Sequence, residues 1–281
     1  MNDLPRDKRR IEMIKIAAAG FMCIDYWPQF DDRYYVTGNG VDVLFNLLDM
    51  RNDIAPSVVS VIGDDEYGKK AVAAFAERNF DTSHLEIVPG GATTTFEMLL
   101  KGNDRFHNHC EPGVLEGYEF SADAIEFLGK QDYVHTDFTG HLERRLSEIT
   151  AYGAKIFFDF SKAQGEDHEL TDSIFKDVEI GIASFEEDFE GGKAFLERGI
   201  RLGAHILIAT FGENGSLVYD GEQFYKGEIV PAEKVVNTVG AGDSFFAGFI
   251  HAYLDHKTIP ECIRSGAERS SKVISVWDPY L

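Results

Sequence analysis

Cysteine is scarce in this chain of 281 residues, and its three cysteines, Cys23, Cys110 and Cys262, lie far apart. An odd and scattered set disfavours a disulfide framework and favours a reducing compartment. Long apolar runs are missing as well, since none approaches the roughly 20 residues that a membrane-spanning helix needs. Residues 1–12 are charged and lack the apolar centre of a signal peptide. We therefore expect a cytoplasmic protein with no membrane partner.

Positive charge is scarce too, because 27 lysines and arginines face 48 aspartates and glutamates, which gives a formal net charge of −21. That charge disfavours binding to nucleic-acid backbones and anionic lipid, so neither is an expected partner. The sequence has no visible repeat, low-complexity linker, Cys-x-x-Cys pair or Gly-x-Ser-x-Gly motif. We expect residues 1–12 to be a disordered or non-native extension and residues 13–281 to form one domain.

Short apolar segments alternate with segments of helical spacing along most of the chain. Fully apolar strands between amphipathic helices are typical of a parallel sheet covered on both faces, so the pattern predicts an α/β fold. The predicted strands are Ile14–Ala19, Ser57–Ile62, Tyr133–His135, Lys155–Phe160, Ile180–Ala183 and Ile206–Thr210, and the predicted helices are Val41–Met50, Gly68–Asn79, Leu142–Tyr152 and Gly192–Leu202.

Two segments, near residues 24–37 and 93–112, interrupt this alternation. Both are rich in aromatic residues, partly alternating in polarity and without helical spacing. We interpret them as β excursions that form a small lid above the carboxyl ends of the parallel strands, where a lid would exclude water from a reacting centre.

The segment from Gly63 to Lys70 partly matches a phosphate-binding loop. It lacks the hydroxyl residue that would hold magnesium, and Asp64, Asp65 and Glu66 place three carboxylates where phosphates would lie. We therefore interpret it as a turn that leads into an exposed helix.

A stronger signal is the segment from Asn237 to Phe249. Gly240 and Gly242, one residue apart, allow a tight turn that directs backbone amides toward one point, and a helix follows. Free amides at a helix N-terminus form an anion site suited to a phosphoryl group. Asp243 in the first turn has two interpretations that this pattern leaves open: a carboxylate favoured by the helix dipole, or the acceptor of a proton from an attacking hydroxyl.

This segment resembles the second signature of the ribokinase-like (PfkB) carbohydrate kinases. Segments similar to other sequence motifs of that family occur in the family's order earlier in the chain, at residues 20–25, 37–40, 61–68 and 210–215. The resemblance implies a three-layer α/β/α fold with a mainly parallel central sheet and a small β lid. It also implies a kinase that uses ATP and Mg²⁺ to phosphorylate a sugar hydroxyl, and a lid that sometimes pairs across a homodimer. The aromatic residues of the lid are explained equally well by such pairing between two chains and by packing within one chain.

The resemblance assigns expected roles to individual residues. Asp243 would be the general base, and the amides of Gly240, Ala241 and Gly242 would form the anion hole. The expected substrate-side residues are Asp25, Gly38, Asn39, Asp42 and Arg105; the expected nucleotide-side residues are Thr210, Gly212 and Gly215; and Glu187 is expected to hold Mg²⁺ through water.

Four residues depart from the family's pattern. Ser184 replaces an asparagine of the magnesium motif, and Thr37 replaces the first glycine of the sugar loop. Asn237 replaces an aspartate that often binds a monovalent cation, which leaves activation by potassium uncertain. Asp42 stands where a sugar-contacting asparagine often lies. It is either a recognition group for a substrate that carries an amine or a solvated aspartate at a helix start.

Loop segments such as residues 103–105, 111–114, 158–161 and 210–216 resemble the members of the family that phosphorylate fructosamines. Loops usually determine substrate identity, so this resemblance favours the 6-hydroxyl of fructoselysine or a related fructosamine as the acceptor. The alternatives are a fructokinase or another simple sugar kinase and, outside enzymes, a catalytically silent sugar sensor.

Overall fold

The computed structural model describes residues 13–31, 33–101, 104–162 and 168–281, so the predicted extension at residues 1–12 lies outside it. Two sheets form the frame. The larger has the order β13-β12-β11-β10-β9-β8-β1-β4-β5 in the described chain, with parallel pairing from β11 to β5 and an antiparallel edge formed by β12 and β13. Its strands are β1 (Ile14–Ala19), β4 (Ile54–Gly63), β5 (Asp81–Val88), β8 (Tyr133–Thr136), β9 (Lys155–Asp159), β10 (Val178–Ser184), β11 (Ile206–Thr210), β12 (Ser216–Tyr219) and β13 (Phe224–Gly227).

Helices cover both faces of this sheet, because alternate strand residues contribute to different cores. Ile16 and Ala18 of β1 belong to one buried cluster, and Ala17 and Ala19 belong to the other. The first cluster includes side chains of α1 (Asn39–Met50), α2 (Glu66–Glu77), α7 (Ala241–Leu254) and α8 (Ile259–Val273), and the second includes side chains of α3 (Ala122–Gly129), α4 (Leu146–Thr150), α5 (His168–Ile174) and α6 (Phe189–Arg201). The predicted three-layer α/β/α fold is confirmed.

The smaller sheet has the order β3-β2-β6-β7. Its strands are β2 (Cys23–Trp27), β3 (Arg33–Thr37), β6 (Thr95–Lys101) and β7 (Asp104–Glu111), and they fall in the two segments predicted to form the lid. Trp27 packs edge to face against Trp277, with 5.4 Å between ring centroids. Packing within one chain therefore accounts for this lid aromatic, and the homodimer stays a prediction.

The predicted strands all occur, but one helix differs. The predicted helix Leu142–Tyr152 is divided into a 3-10 segment, Thr139–Arg145, and the short helix α4. Arg145 has φ −119°, and Gly140 and His141 are left-handed, so regular α-helical geometry holds only from Leu146. The turn at Gly63 agrees with its sequence interpretation, since the Asp65 side chain caps α2 by accepting the Gly68 amide at 2.8 Å. No helix in the described ranges is long and apolar enough to cross a membrane.

Candidate active site

A cavity of about 220 Å³ opens at the carboxyl edge of the large sheet. The last residues of three adjacent parallel strands, Asp159, Ser184 and Thr210, contribute to its wall. Crevices outside the carboxyl ends of parallel strands are where α/β proteins bind ligands. The other lining residues are Asn39 at the start of α1, Gly242, Asp243 and Phe246 in α7, and Ser161, Lys162, Ile182 and Ala183.

Helix α7 directs its N-terminus at this cavity. Gly240 precedes it with φ 74°, and a Cβ atom at this position would lie 2.7 Å from Pro279, so the turn requires glycine. The Ala241 amide donates to the Thr238 carbonyl at 3.2 Å. Among the described residues, no acceptor is found for the amides of Gly240 and Gly242. Two of the three amides predicted to form the anion hole are therefore available for an anion.

Asp243 lies half-buried in the first turn of α7 and lines the cavity. Burial raises the pKa of its carboxyl to about 8, and the negative charges of Asp159 and Asp137 raise it further. A carboxyl with this pKa is a better proton acceptor than an ordinary aspartate while it remains able to ionise near neutral pH. The geometry thus supports the interpretation of Asp243 as a general base.

Asp159 and Asp137 are members of the site that we did not predict. Burial raises the pKa of Asp159 to about 7, although its Oδ1 accepts the Ser161 amide at 2.6 Å. Burial also raises the pKa of Asp137 to about 6, and its Oδ1 accepts the Thr139 amide at 2.8 Å. Both directly follow apolar or buried strand residues. An aspartate at the carboxyl end of a buried strand is the sequence signal that would have identified them.

The predicted substrate-side residues Asp25, Gly38, Asn39 and Asp42 come from β2 and the start of α1, and of these four only Asn39 lines the cavity. Gly38 has φ 141°, and a Cβ atom there would lie 2.3 Å from the Phe21 carbonyl oxygen. Asp25 is buried, its pKa is raised to about 7 by burial, and it accepts the Cys23 thiol at 3.7 Å. The same region holds the buried Asp42, whose pKa is raised by burial and by the negative charge of Asp243.

The predicted nucleotide-side residues are more exposed to solvent than Asp25 and Asp42. Thr210 lines the cavity, whereas Gly212 and Gly215 form the turn after β11 outside the cavity lining. A Cβ atom at Gly215, which has φ 87°, would lie 2.1 Å from the Gly227 carbonyl oxygen, so this turn also requires glycine. Glu187 is exposed and lies outside the cavity lining. Arg105 belongs to β7, but its side chain is outside the described part of the structure.

The cavity's chemistry fits a magnesium nucleotide. Mg²⁺ prefers oxygen ligands and is usually bound by one or two carboxylates together with substrate phosphates. Asp159, Ser184 and Thr210 offer oxygen atoms in the wall of the cavity, which Gly242 at the start of α7 also lines. Within the described ranges no group of three or more His, Cys, Asp or Glu side chains is placed to hold a metal ion.

Comparisons with known proteins found kinases among the relatives of this chain. The model of the "pfkB family carbohydrate kinase" matches residues 177–278. The fructoselysine 6-kinase of Escherichia coli is 31% identical over 262 residues, which cover 93% of this chain and 98% of that protein. The fructosamine kinase of Bacillus subtilis is 23% identical over 95% of this chain and 93% of its own length, and the cytidine kinase of Thermococcus kodakarensis is 40% identical over 79% and 82%.

Solved structures show the same fold. Arabidopsis thaliana ribokinase, complexed with ribose and ATP, superposes with a TM-score of 0.78 at 19% identity and covers 94% of this chain and 93% of its own. A putative ribokinase II of E. coli in complex with ATP and Mg²⁺ gives a TM-score of 0.78 at 15% identity, with coverage of 95% and 94%. With the fold, the cavity and a relative matched along nearly its whole length, this chain belongs to the pfkB family of carbohydrate kinases and is a sugar-phosphorylating enzyme.

Proposed function

We propose that this enzyme transfers the γ-phosphoryl group of ATP, with Mg²⁺, to the 6-hydroxyl of a fructosamine such as fructoselysine. The observation that carries the proposal is the strongly acidic substrate side of the site. Asp25 and Asp42 are both buried there, and burial together with the charges of Asp243 and Asp25 raises the pKa of Asp42. A fructosamine carries a positive amine, whereas fructose, ribose and nucleosides carry none at neutral pH. The full-length likeness to fructoselysine and fructosamine kinases points to the same substrate class.

In this proposal Asp243 accepts the proton of the attacking hydroxyl. Phosphoryl transfer has a loose transition state, so the proton moves late and the position of the hydroxyl matters most. Asp25 and Asn39 hold the sugar's hydroxyls so that the 6-oxygen faces Asp243. A substrate without these hydroxyls would leave buried polar groups unpaired and would be rejected.

The free amides of Gly240 and Gly242 bind the phosphoryl oxygens as negative charge shifts toward the leaving group. They belong to the helix N-terminus, so the dipole of α7 adds a fixed positive potential. When bound, Mg²⁺ would neutralise phosphate charge, and Asp159 and Ser184 are the residues of the cavity wall that would hold it directly or through water. Thr210 and the turn of Gly212 and Gly215 would support the nucleotide.

A panel of acceptors tests the proposal. ADP release is measured with fructoselysine, other fructosamines, fructose, ribose and cytidine at equal concentrations. We expect a fructosamine to give the highest kcat/KM. Rapid phosphorylation of plain fructose with no turnover of any fructosamine would establish the fructokinase alternative, and cytidine as the best acceptor would establish a nucleoside kinase. Tight sugar binding with no ADP release for any acceptor would indicate the silent sensor.

A further inference from the structure

Asp42 is a buried carboxylate with one oxygen left unsatisfied. Its side chain belongs to the first turn of α1 and is 2% exposed. Oδ2 accepts the Thr37 hydroxyl at 2.6 Å, while Oδ1 has no hydrogen-bond partner among the described residues. A buried acceptor without a donor is unfavourable because it has lost its hydrogen bonds to water. The arrangement is therefore incomplete until a donor reaches Oδ1.

The ionisable groups around Asp42 are acidic. Asp243 on α7 and Asp25 on β2 both raise the pKa of Asp42, and the Thr37 hydroxyl and the Gly38 amide lower it. In turn, the Asp42 charge raises the pKa of the Cys23 thiol on β2 and of Tyr280 in the C-terminal segment. His135 on β8, which lies close to Gly40, is kept neutral because burial lowers its pKa to about 3. None of these named groups supplies a positive charge.

This environment distinguishes an ammonium donor from a hydroxyl donor. A hydroxyl would complete the hydrogen bonding of Oδ1 but would not favour the ionised form of Asp42, because burial and the charges of Asp243 and Asp25 raise its pKa. An ammonium group completes the hydrogen bond and compensates the charge, and charge-assisted bonds are roughly twice as strong as neutral ones. The Thr37 hydroxyl holds Oδ2, which leaves Oδ1 as the oxygen that can accept from a further donor.

We propose that Asp42, oriented by Thr37, determines specificity by binding the protonated amine of the substrate. The inference rests on the proposed fructosamine kinase function and adds the residue that would distinguish a fructosamine from its neutral analogues. The amine of a fructosamine is attached at carbon 1, at the opposite end of the sugar from the 6-hydroxyl. Asp42 would therefore bind one end of the substrate while Asp243 faces the other.

The test compares fructoselysine with its ether isostere, in which an oxygen atom replaces the amine nitrogen. Wild-type enzyme should prefer the amine by at least about 30-fold in kcat/KM, the range expected when one partner of a buried charged pair is removed. Asp42→Asn keeps the shape and a hydrogen-bonding side chain but removes the charge, so it should abolish most of this preference. Its activity with the ether should fall much less than its activity with the amine.

Two further variants complete the design. Thr37→Val should weaken the preference, because the carboxylate loses its orienting donor. Glu77→Gln removes one negative charge from an exposed carboxylate on α2 and should leave the preference unchanged. An equal loss with both substrates in a folded Asp42→Asn enzyme would overturn the inference, since it would show that Asp42 binds a hydroxyl or serves only packing.

A measurement on the wild-type enzyme avoids any dependence on variant folding. Dissociation constants are determined by calorimetry for the 6-deoxy forms of the amine and the ether, which bind without being phosphorylated. Tighter binding of the amine by at least about 30-fold supports the inference, and equal binding overturns it. Loss of the proposed function would appear differently, as failure of the wild-type enzyme to phosphorylate any fructosamine in the acceptor panel.

Discussion

The two sides of the cavity differ in charge and in exposure. The predicted substrate side has the buried carboxyl groups of Asp25, on lid strand β2, and of Asp42, on α1, and Asp42 accepts the Thr37 hydroxyl. The nucleotide side consists of hydroxyl groups and glycine turns, and Gly212 and Glu187 are exposed. Asp243 lies between the two sides. The difference indicates that substrate selection depends on a prebuilt polar pocket, whereas the nucleotide meets an open surface with fixed dipoles.

The largest effect among the supporting residues is expected at Asn237, which connects the loop before α7 to the C-terminal segment. Its amide donates to the Trp277 carbonyl at 2.6 Å, and its oxygen accepts the Val239 amide at 2.9 Å. In Asn237→Asp a carboxylate would face the Trp277 carbonyl. Replacing this donor by an acceptor should cost about 1–3 kcal/mol, seen as a lower unfolding temperature and as lower kcat/KM from a displaced anion loop.

The same variant tests cation dependence. An alkali cation can bridge two acceptors that face each other. Potassium should therefore partly restore the unfolding temperature and the kcat/KM of the Asn237→Asp enzyme. The wild-type enzyme should have equal kcat in potassium and tetramethylammonium buffers of equal ionic strength. Strong activation of the wild-type enzyme by potassium would contradict this prediction. It would show that the hydrogen bond from Asn237 to the Trp277 carbonyl does not replace a bound cation.

A smaller effect is expected from Asp159, which joins the nucleotide wall to the base. Its negative charge raises the pKa of Asp243, after the larger effect of burial. Activity needs ionised Asp243 and therefore rises with pH through that pKa. Asp159→Asn should move this limb of the kcat/KM profile to lower pH by about one unit. Asp137→Asn is the matched control and should move it less, because the Asp137 charge acts more weakly on Asp243. A kcat/KM profile unchanged by Asp159→Asn would show that the charge of Asp159 does not influence the pKa of Asp243.

The smallest effect concerns stability. Burial raises the pKa of Asp25 and of Asp159 to about 7, compared with about 3.9 in an unfolded chain. Between these values the folded protein holds more protons than the unfolded chain, so the free energy of unfolding falls as pH rises. Urea unfolding of the ligand-free enzyme should show lower stability at pH 8 than at pH 5.5. Asp25→Asn should reduce this slope, and equal stability at both pH values would contradict the raised pKa of these groups.

Sequence periodicity predicted the body of the fold well because its strands are short, apolar and enclosed by amphipathic helices. β5 (Asp81–Val88) was missed, since it is a partly exposed edge strand with polar residues on most positions. The division of the predicted helix Leu142–Tyr152 was missed as well, because it depends on the non-helical backbone of Arg145, a residue that local pattern does not mark.

For the candidate site, local motifs identified the residues that start helices, such as Asn39 and Asp243. Asp159 was missed because its role depends on which strands are neighbours in the sheet, which a single strand does not reveal. The sequence identified Asp42 as a candidate. Only the tertiary structure distinguishes a group that recognises an amine from a solvated aspartate at a helix start. Its burial argues against a solvated aspartate at a helix start. The role of Glu187 stays a prediction, and its side chain is exposed and outside the cavity lining.

The central claim is that Asp243 is the base between a closed substrate pocket and an open nucleotide surface, and Asp243→Asn tests it most directly. The asparagine keeps the shape of the side chain but cannot accept the hydroxyl's proton. We expect kcat for the best acceptor to fall by about 10²–10⁴-fold, while the dissociation constants of sugar and ATP, measured by calorimetry, stay within a few-fold of wild type. Wild-type turnover in a folded Asp243→Asn enzyme would contradict the account.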